Sequence, residues 1–143
     1  MAEETNQLRV RLVTPDRILF EQLADTVELP SKTGYFEVLY GHAPLVAELG
    51  AGDVIIRGES VGEAGVQRYN VSWGFAEVLG DRVTILASDA LKPEEIDRGR
   101  AEDQLKRGEK LWKEAGESEA AYDNALRVIS EAEAKLASIP DKH

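Results

Sequence analysis

An α+β fold is predicted: a β-sandwich of about ten short strands over residues 1–89, then an antiparallel helical hairpin over residues 90–143. Three observations predict it. Near residue 90 the apolar spacing changes from a period of two to alternating steps of three and four. Nine of the 12 glycines precede that point and divide the chain into short runs. Turn signals separate those runs at intervals too short for helices.

In the first half, Leu8, Val10 and Leu12 alternate with Arg9 and Arg11, and Thr14-Pro-Asp closes the run. Side chains two apart share one face of a strand, so this run offers one apolar face. Val27 and Leu29 flank Glu28 before the turn Ser31-Lys-Thr-Gly34. Tyr35, Phe36, Leu39 and Tyr40 then fall in a segment read as a loop, which gathers aromatics at one end of the sandwich and ends in Gly41-His-Ala-Pro44. Ala51-Gly-Asp53 and Glu63-Ala-Gly65 bound a run containing Val54 and Ile56. Val71, Trp73 and Phe75 are expected to continue one alternation, with Trp73 in the core or at a sheet edge and a partner contact as the second reading. Gly80-Asp81 suits a tight hairpin leading into Val83, Ile85 and Ala87.

In the second half, Pro93 fits a first helical position, with Glu94, Glu95 and Asp97 near the positive end of the dipole. Ala101, Leu105, Gly108, Trp112 and Ala115 form the first seam, which Gly116 terminates. Ser118 caps a second helix whose seam is Tyr122, Ala125, Ile129, Ala132, Leu136 and Ile139, and Pro140 ends it. Trp112 is expected in the hairpin core. The seams are rich in Ala and Gly, so the hairpin is weakly packed. Exposed pairs such as Glu94–Arg98, Glu102–Lys106 and Glu109–Lys113 add only about 0.2 to 0.5 kcal/mol each.

Composition narrows the function. The 143 residues carry 27 acidic and 17 basic side chains, a net charge of −10, which opposes nucleic acid or an anionic membrane as the main partner. With no cysteine and two histidines, thiolate chemistry is excluded and a multi-histidine metal site is not expected. No apolar run nears the roughly 20 residues of a spanning helix, so direct membrane insertion is not expected. Gly50-Ala-Gly52 lacks the third glycine of a dinucleotide fingerprint. His42 sits in a Gly/Pro turn that explains it structurally, His143 is terminal, and the pairs Glu3-Glu4 and Glu94-Glu95 define no acid/base geometry. No catalytic residue is assigned.

Five segments together resemble the epsilon subunit of bacterial F-type ATP synthases, the counterpart of the mitochondrial delta subunit. They are Thr14-Pro-Asp-Arg17, Gly34-Tyr-Phe-Glu-Val-Leu-Tyr-Gly-His-Ala-Pro-Leu45, Val71-Ser-Trp-Gly-Phe-Ala-Glu-Val78, Arg82-Val-Thr-Ile-Leu-Ala-Ser-Asp-Ala90 and Ile96-Asp-Arg-Gly-Arg-Ala101. Two positions depart from the family pattern: Tyr40 replaces a proline, and Trp73 stands where a small residue is usual. The resemblance implies a non-catalytic rotor subunit of the central stalk, joining gamma to the c-subunit ring and coupling proton flow to ATP synthesis. It implies a location at the cytoplasmic face of the bacterial inner membrane. Tyr35, Phe36, Tyr40, Gly41, His42, Ala43 and Pro44 are implied at the gamma and c-ring interface. The hairpin is implied to fold down or to extend toward the alpha/beta catalytic head and oppose ATP hydrolysis; the competing reading is a static brace packed on the sandwich. A helix over residues 93–115 would reach about 35 Å.

No cofactor is required, but ATP is implied as a regulatory ligand of some family members. Ile96, Asp97, Arg100 and Ala101 match the motif through which they bind it. Asp97 would accept from the adenine amino group and Arg100 would meet ribose or phosphate oxygens. The alternative is a first helical turn with a dipole-favoured Asp97 and a surface Arg100. Residues 1–89 carry net −7 and residues 90–143 net −3, so the basic side chains concentrate in the hairpin. In an extended hairpin Arg98, Arg100, Lys106, Arg107, Lys110 and Lys113 would face acidic surface on the catalytic head. The competing reading is a free-standing ATP-sensing or adaptor module of the same architecture.

Overall fold

The computed structural model describes residues 6–140, so Glu3, Glu4 and His143 lie outside the described residues. The chain divides between Ala90 and Leu91 into two compact units. The first contains β1 (Leu8–Val13), β2 (Ile18–Ala24), β3 (Thr26–Ser31), β4 (Gly34–Leu39), β5 (Leu45–Leu49), β6 (Gly52–Arg57), β7 (Val66–Leu79) and most of β8 (Arg82–Leu91). These eight strands are slightly fewer than the roughly ten read from the sequence, and β7 and β8, at 14 and 10 residues, are longer than the short strands expected.

The strand order is β2-β1-β8-β7-β5-β3-β4, with β6 pairing β3 and β7. β1 lies antiparallel to β2 and parallel to β8. The first half of β7, Val66 to Val71, pairs with β6, and its second half, Gly74 to Val78, pairs with β5. The strand therefore belongs to both layers of the sandwich. Leu8, Val10, Leu12, Val27, Leu29, Val54, Ile56, Val71, Val78, Val83 and Ile85 fill the interface between the layers, all fully buried. Branched aliphatics dominate this core, as expected from a chain with only 6 % aromatics.

The changeover in β7 corrects the expected alternation. Trp73 takes φ +53° and Gly74 φ +134°, and this bend, with the pairing register unbroken from β6 to β5, reverses which side chains of the strand are buried. Tyr69 and Val71 are buried before it, whereas Ala76 and Val78 are buried after it and Phe75 is 54 % exposed. Gly74 is required by close approach as well as by φ: an added Cβ would collide with the carbonyl oxygen of Leu86. Trp73 itself is half-buried, and its main-chain N–H donates to Gly50 O at 3.3 Å.

The second unit contains α1 (Arg98–Glu114) and α2 (Glu119–Ser138). Pro93 does not begin α1. It opens a short 3-10 turn over Pro93–Glu95, and the helix starts only after Asp97, whose carboxylate accepts from Arg100 N at 3.0 Å. An aspartate N-cap satisfies an orphan N–H that Pro93 cannot, so the start moves to it. Glu94 consequently lies on a separate turn from Arg98. Gly116 has φ +59° just beyond α1, and Ser118 Oγ accepts from Ala121 N at 3.2 Å to begin α2, both as the sequence predicts.

Ala101, Gly108, Ala115, Ala125 and Ala132 are buried along the seam. Gly108 permits the close approach: a Cβ there would stand 2.7 Å from Ile129 Cγ1. Trp112 is not hairpin core. It is 46 % exposed and meets the half-exposed Tyr122 at a ring-centroid distance of 6.5 Å, because the wide rings do not fit a seam spaced for alanine and glycine.

Candidate functional site

The segment expected to form an aromatic loop is largely strand β4. Val38 is buried and pairs with Val27, which fixes the register and sends Tyr35, Glu37 and Leu39 outward. Tyr35 and Tyr40 therefore lie at opposite ends of β4, about 17 Å apart at 3.3 Å per residue, rather than together at one end of the sandwich.

Ser31 Oγ contacts Thr33 Oγ1 at 3.2 Å in the tight turn between β3 and β4. Beyond it, a groove of about 540 Å³ runs between β4 and β5, lined by Tyr35, Phe36, His42, Leu45, Val46 and the Lys32–Glu48 ion pair, which closes at 3.0 Å. Phe36 and Leu45 pack on the core beneath the groove, while Tyr35 is 56 % exposed and Val46 70 %. At the far end of β4, Gly41 adopts φ +90°, its N–H donates to Gly80 O at 2.7 Å, and His42 N–H donates to Leu39 O at 3.1 Å. Tyr40, Ala43 and Pro44 are exposed on this turn, with the exposed Leu39 and Leu79 on the adjoining strand ends. His42 Nδ1 lies 2.7 Å from Ala43 O and must donate to it, since a carbonyl only accepts. The histidine thus braces its own turn.

A second surface was missed in the sequence. Val13 pairs with Ile18 on one side and Leu86 on the other, Gly74 beside Phe75 lies against Leu86, and Phe75 pairs with Glu48 beyond it. Ile18, Leu86, Phe75 and Val46 are each more than half exposed, so an apolar row crosses the outer face of the layer. Exposed apolar side chains gathered on one face mark a candidate interaction site, here with Glu48 opposite Phe75 and Glu77 opposite Val46. Strand register alone assembles it, because its members come from separate strands.

On the hairpin, the four residues of the nucleotide motif have distinct local roles. Ile96 is half-buried and its N–H donates to Pro93 O at 3.2 Å; Asp97 is the N-cap; Arg100 is exposed; Ala101 is buried in the seam. Arg98, Arg100, Lys106, Arg107, Lys110 and Lys113 are all exposed on α1. Lys106, Lys110 and Lys113 share the face opposite Ala101, Gly108 and Ala115. Glu102, Asp103, Glu109 and Glu114 interleave with them, and Lys110 reaches Glu114 at 4.0 Å. Among the described residues no group of three or more His, Asp or Glu side chains is placed to hold a metal ion, and no helix is long and apolar enough to cross a membrane.

Residues 7–93 match the family model of the ATP synthase delta/epsilon chain β-sandwich domain. An ATP synthase epsilon chain from Koribacter versatilis is 43 % identical over 107 residues, covering 73 % of this chain and 71 % of the relative. That of Solibacter usitatus is 38 % identical over 138 residues, covering 94 % and 97 %. In structure, a chain of the Euglena gracilis mitochondrial ATP synthase OSCP/F1/c-ring assembly aligns with TM-score 0.79 at 23 % identity, over 96 % of this chain and 84 % of its own.

Proposed function

Since the chain belongs to the delta/epsilon family of ATP synthase subunits, we propose that it is the epsilon-type rotor subunit of the central stalk, joining gamma to the c-ring so that ion flow drives ATP synthesis. It is a non-catalytic subunit of that complex. The observation that carries the reading is the match to epsilon chains over nearly the whole length, hairpin included, which also favours an assembled subunit over a free-standing module. It would sit at the cytoplasmic face of the bacterial membrane, held there through its partners.

The two exposed surfaces suit two attachments. The apolar row from Ile18 through Leu86 and Phe75, up to Val46 where it meets the groove, fits a lasting contact with gamma, because permanent interfaces resemble a core cut in half. The β4–β5 groove and the Tyr40–Pro44 turn fit the c-ring and its junction with gamma. The test is reconstitution of the synthase with and without the chain in sealed vesicles. Loss of proton-driven ATP synthesis and weakened binding of the catalytic head to the ring are expected on omission; unchanged coupling would overturn the reading.

Regulation is the finer part of the proposal. An extended hairpin would bring Lys106, Lys110 and Lys113 to the alpha/beta head, and ATP would favour the folded form through Arg100 and Asp97. Asp97 Oδ1 already accepts from Arg100 N–H to cap α1, and the carboxylate keeps further lone pairs on both oxygens for an adenine amino group. Calorimetry with Mg-ATP on the full chain tests this, and absence of heat at millimolar ligand would dismiss the nucleotide site.

A further inference from the structure

Tyr35 is exposed but not free to move. Its hydroxyl oxygen accepts from the main-chain N–H of Asp53 at 2.9 Å, and its ring end occupies the space left by the missing side chain of Gly52. A Cβ at position 52 would overlap the Tyr35 hydroxyl and stand 2.8 Å from Pro30 Cβ. Asp53 is held in turn: only 8 % exposed, its carboxylate accepts from Arg68 at 3.0 Å and from Asn70 Nδ2 at 3.2 Å. A support therefore runs from β4 through β6 to β7 and ends in a fixed aromatic side chain at the rim of the groove.

The fixing hydrogen bond uses the hydroxyl as an acceptor. A hydroxyl also carries one proton to donate, and among the described residues the bond from Asp53 N–H is the one Tyr35 makes. Interfaces favour such side chains, since a tyrosine already immobilised does not lose rotamer freedom when its partner arrives.

We propose that Gly52 and Asp53 are positioning residues that hold Tyr35 as a pre-formed anchor, and that its partner is a loop offering an oxygen acceptor to the hydroxyl and an apolar side chain to the groove above Phe36 and Leu45. This rests on the reading that the groove meets the c-ring. Immobilisation of one such side chain corresponds to a roughly two- to twelvefold gain in affinity.

The test measures binding of the catalytic head, assembled with the full chain, to membranes stripped of it. Tyr35→Phe keeps the ring but removes the hydroxyl and is expected to weaken binding by about two- to twelvefold. It should also accelerate hydrogen exchange of the Asp53 amide. Gly52→Ala should weaken binding in the native background yet have no further effect once Tyr35→Ala is present. Loss of binding in Tyr35→Ala, with Tyr35→Phe and Gly52→Ala binding as the native chain does, overturns the positioning while leaving the docking reading intact. Unchanged binding in Tyr35→Ala overturns both. Should Gly52→Ala fail to fold, the Tyr35→Phe affinity and the Asp53 exchange rate decide.

Discussion

Replacing Gly108 by alanine sets two effects against each other at the hairpin seam. Alanine is the better helix former, by about 1 kcal/mol. Against that, the new Cβ would stand 2.7 Å from Ile129 Cγ1 and 3.2 Å from Ile129 N. Carbon atoms pack at about 3.5 Å or more, so the helices must separate by about 0.8 Å, and the backbone contact prevents a simple rotamer change from relieving it. Overpacking of this kind costs about 1 to 3 kcal/mol. The net effect is a loss of about 0 to 2 kcal/mol from the hairpin. Gly99→Ala is the control, because its Cβ would meet only Asp97 Oδ1 at 3.3 Å and it keeps most of the helix-forming gain. Hydrogen exchange in the amides of α1 and α2, measured by mass spectrometry on the full chain, should separate the two variants by roughly five- to 150-fold, with Gly108→Ala the faster. Equal slowing in both would refute the argument that Gly108 is there for close packing.

Other outcomes follow from the same physical terms. Gly74→Ala forces a side chain at φ +134° into the Leu86 carbonyl and should cost about 3 kcal/mol or more, read as a lower urea midpoint or loss of soluble protein. Ser118→Ala removes the α2 cap and should cost about 1 kcal/mol, seen as faster exchange in the first turn of α2, while Ser118→Asp should retain it. The exposed Arg82 side chain, hydrogen-bonded at 3.2 Å, holds the Asp81 carboxyl below its ordinary value. The stabilisation from this pair is present above the ordinary carboxylate range and is lost as pH falls through the lowered pKa. In Arg82→Ala the Asp81 titration, followed by NMR, should therefore move up toward the ordinary value.

The parts of the fold written in local chemistry were legible. Leu8, Val10 and Leu12 declare one buried face, Ser118 is a cap by type and position, and Gly116 is placed where a left-handed residue must stop a helix. The phase of β7 was not legible, because Val71, Trp73 and Phe75 continue a perfect alternation in sequence while the backbone at Trp73 and Gly74 reverses it. The start of α1 was misplaced because Pro93 and Asp97 both suit a helix entrance, and hydrogen bonding chose the latter. Of the candidate site, the sequence supplied the residues but not their arrangement: pairing with β3 draws Tyr35 and Tyr40 apart. The outer apolar row stayed invisible because Ile18, Leu86, Phe75 and Val46 belong to different strands.

The path of β7 has a mechanical meaning. Two layers that met only through side chains could slide over one another under load, since apolar contacts resist shear weakly. Here one strand passes from β6 to β5 through the Trp73–Gly74 bend, and a torque applied to the apolar row reaches the other layer along covalent bonds. In the proposed rotor subunit, that continuity, together with the accompanying crossing from β5 to β6 at Gly50 and Ala51, would let load pass between the layers without sliding.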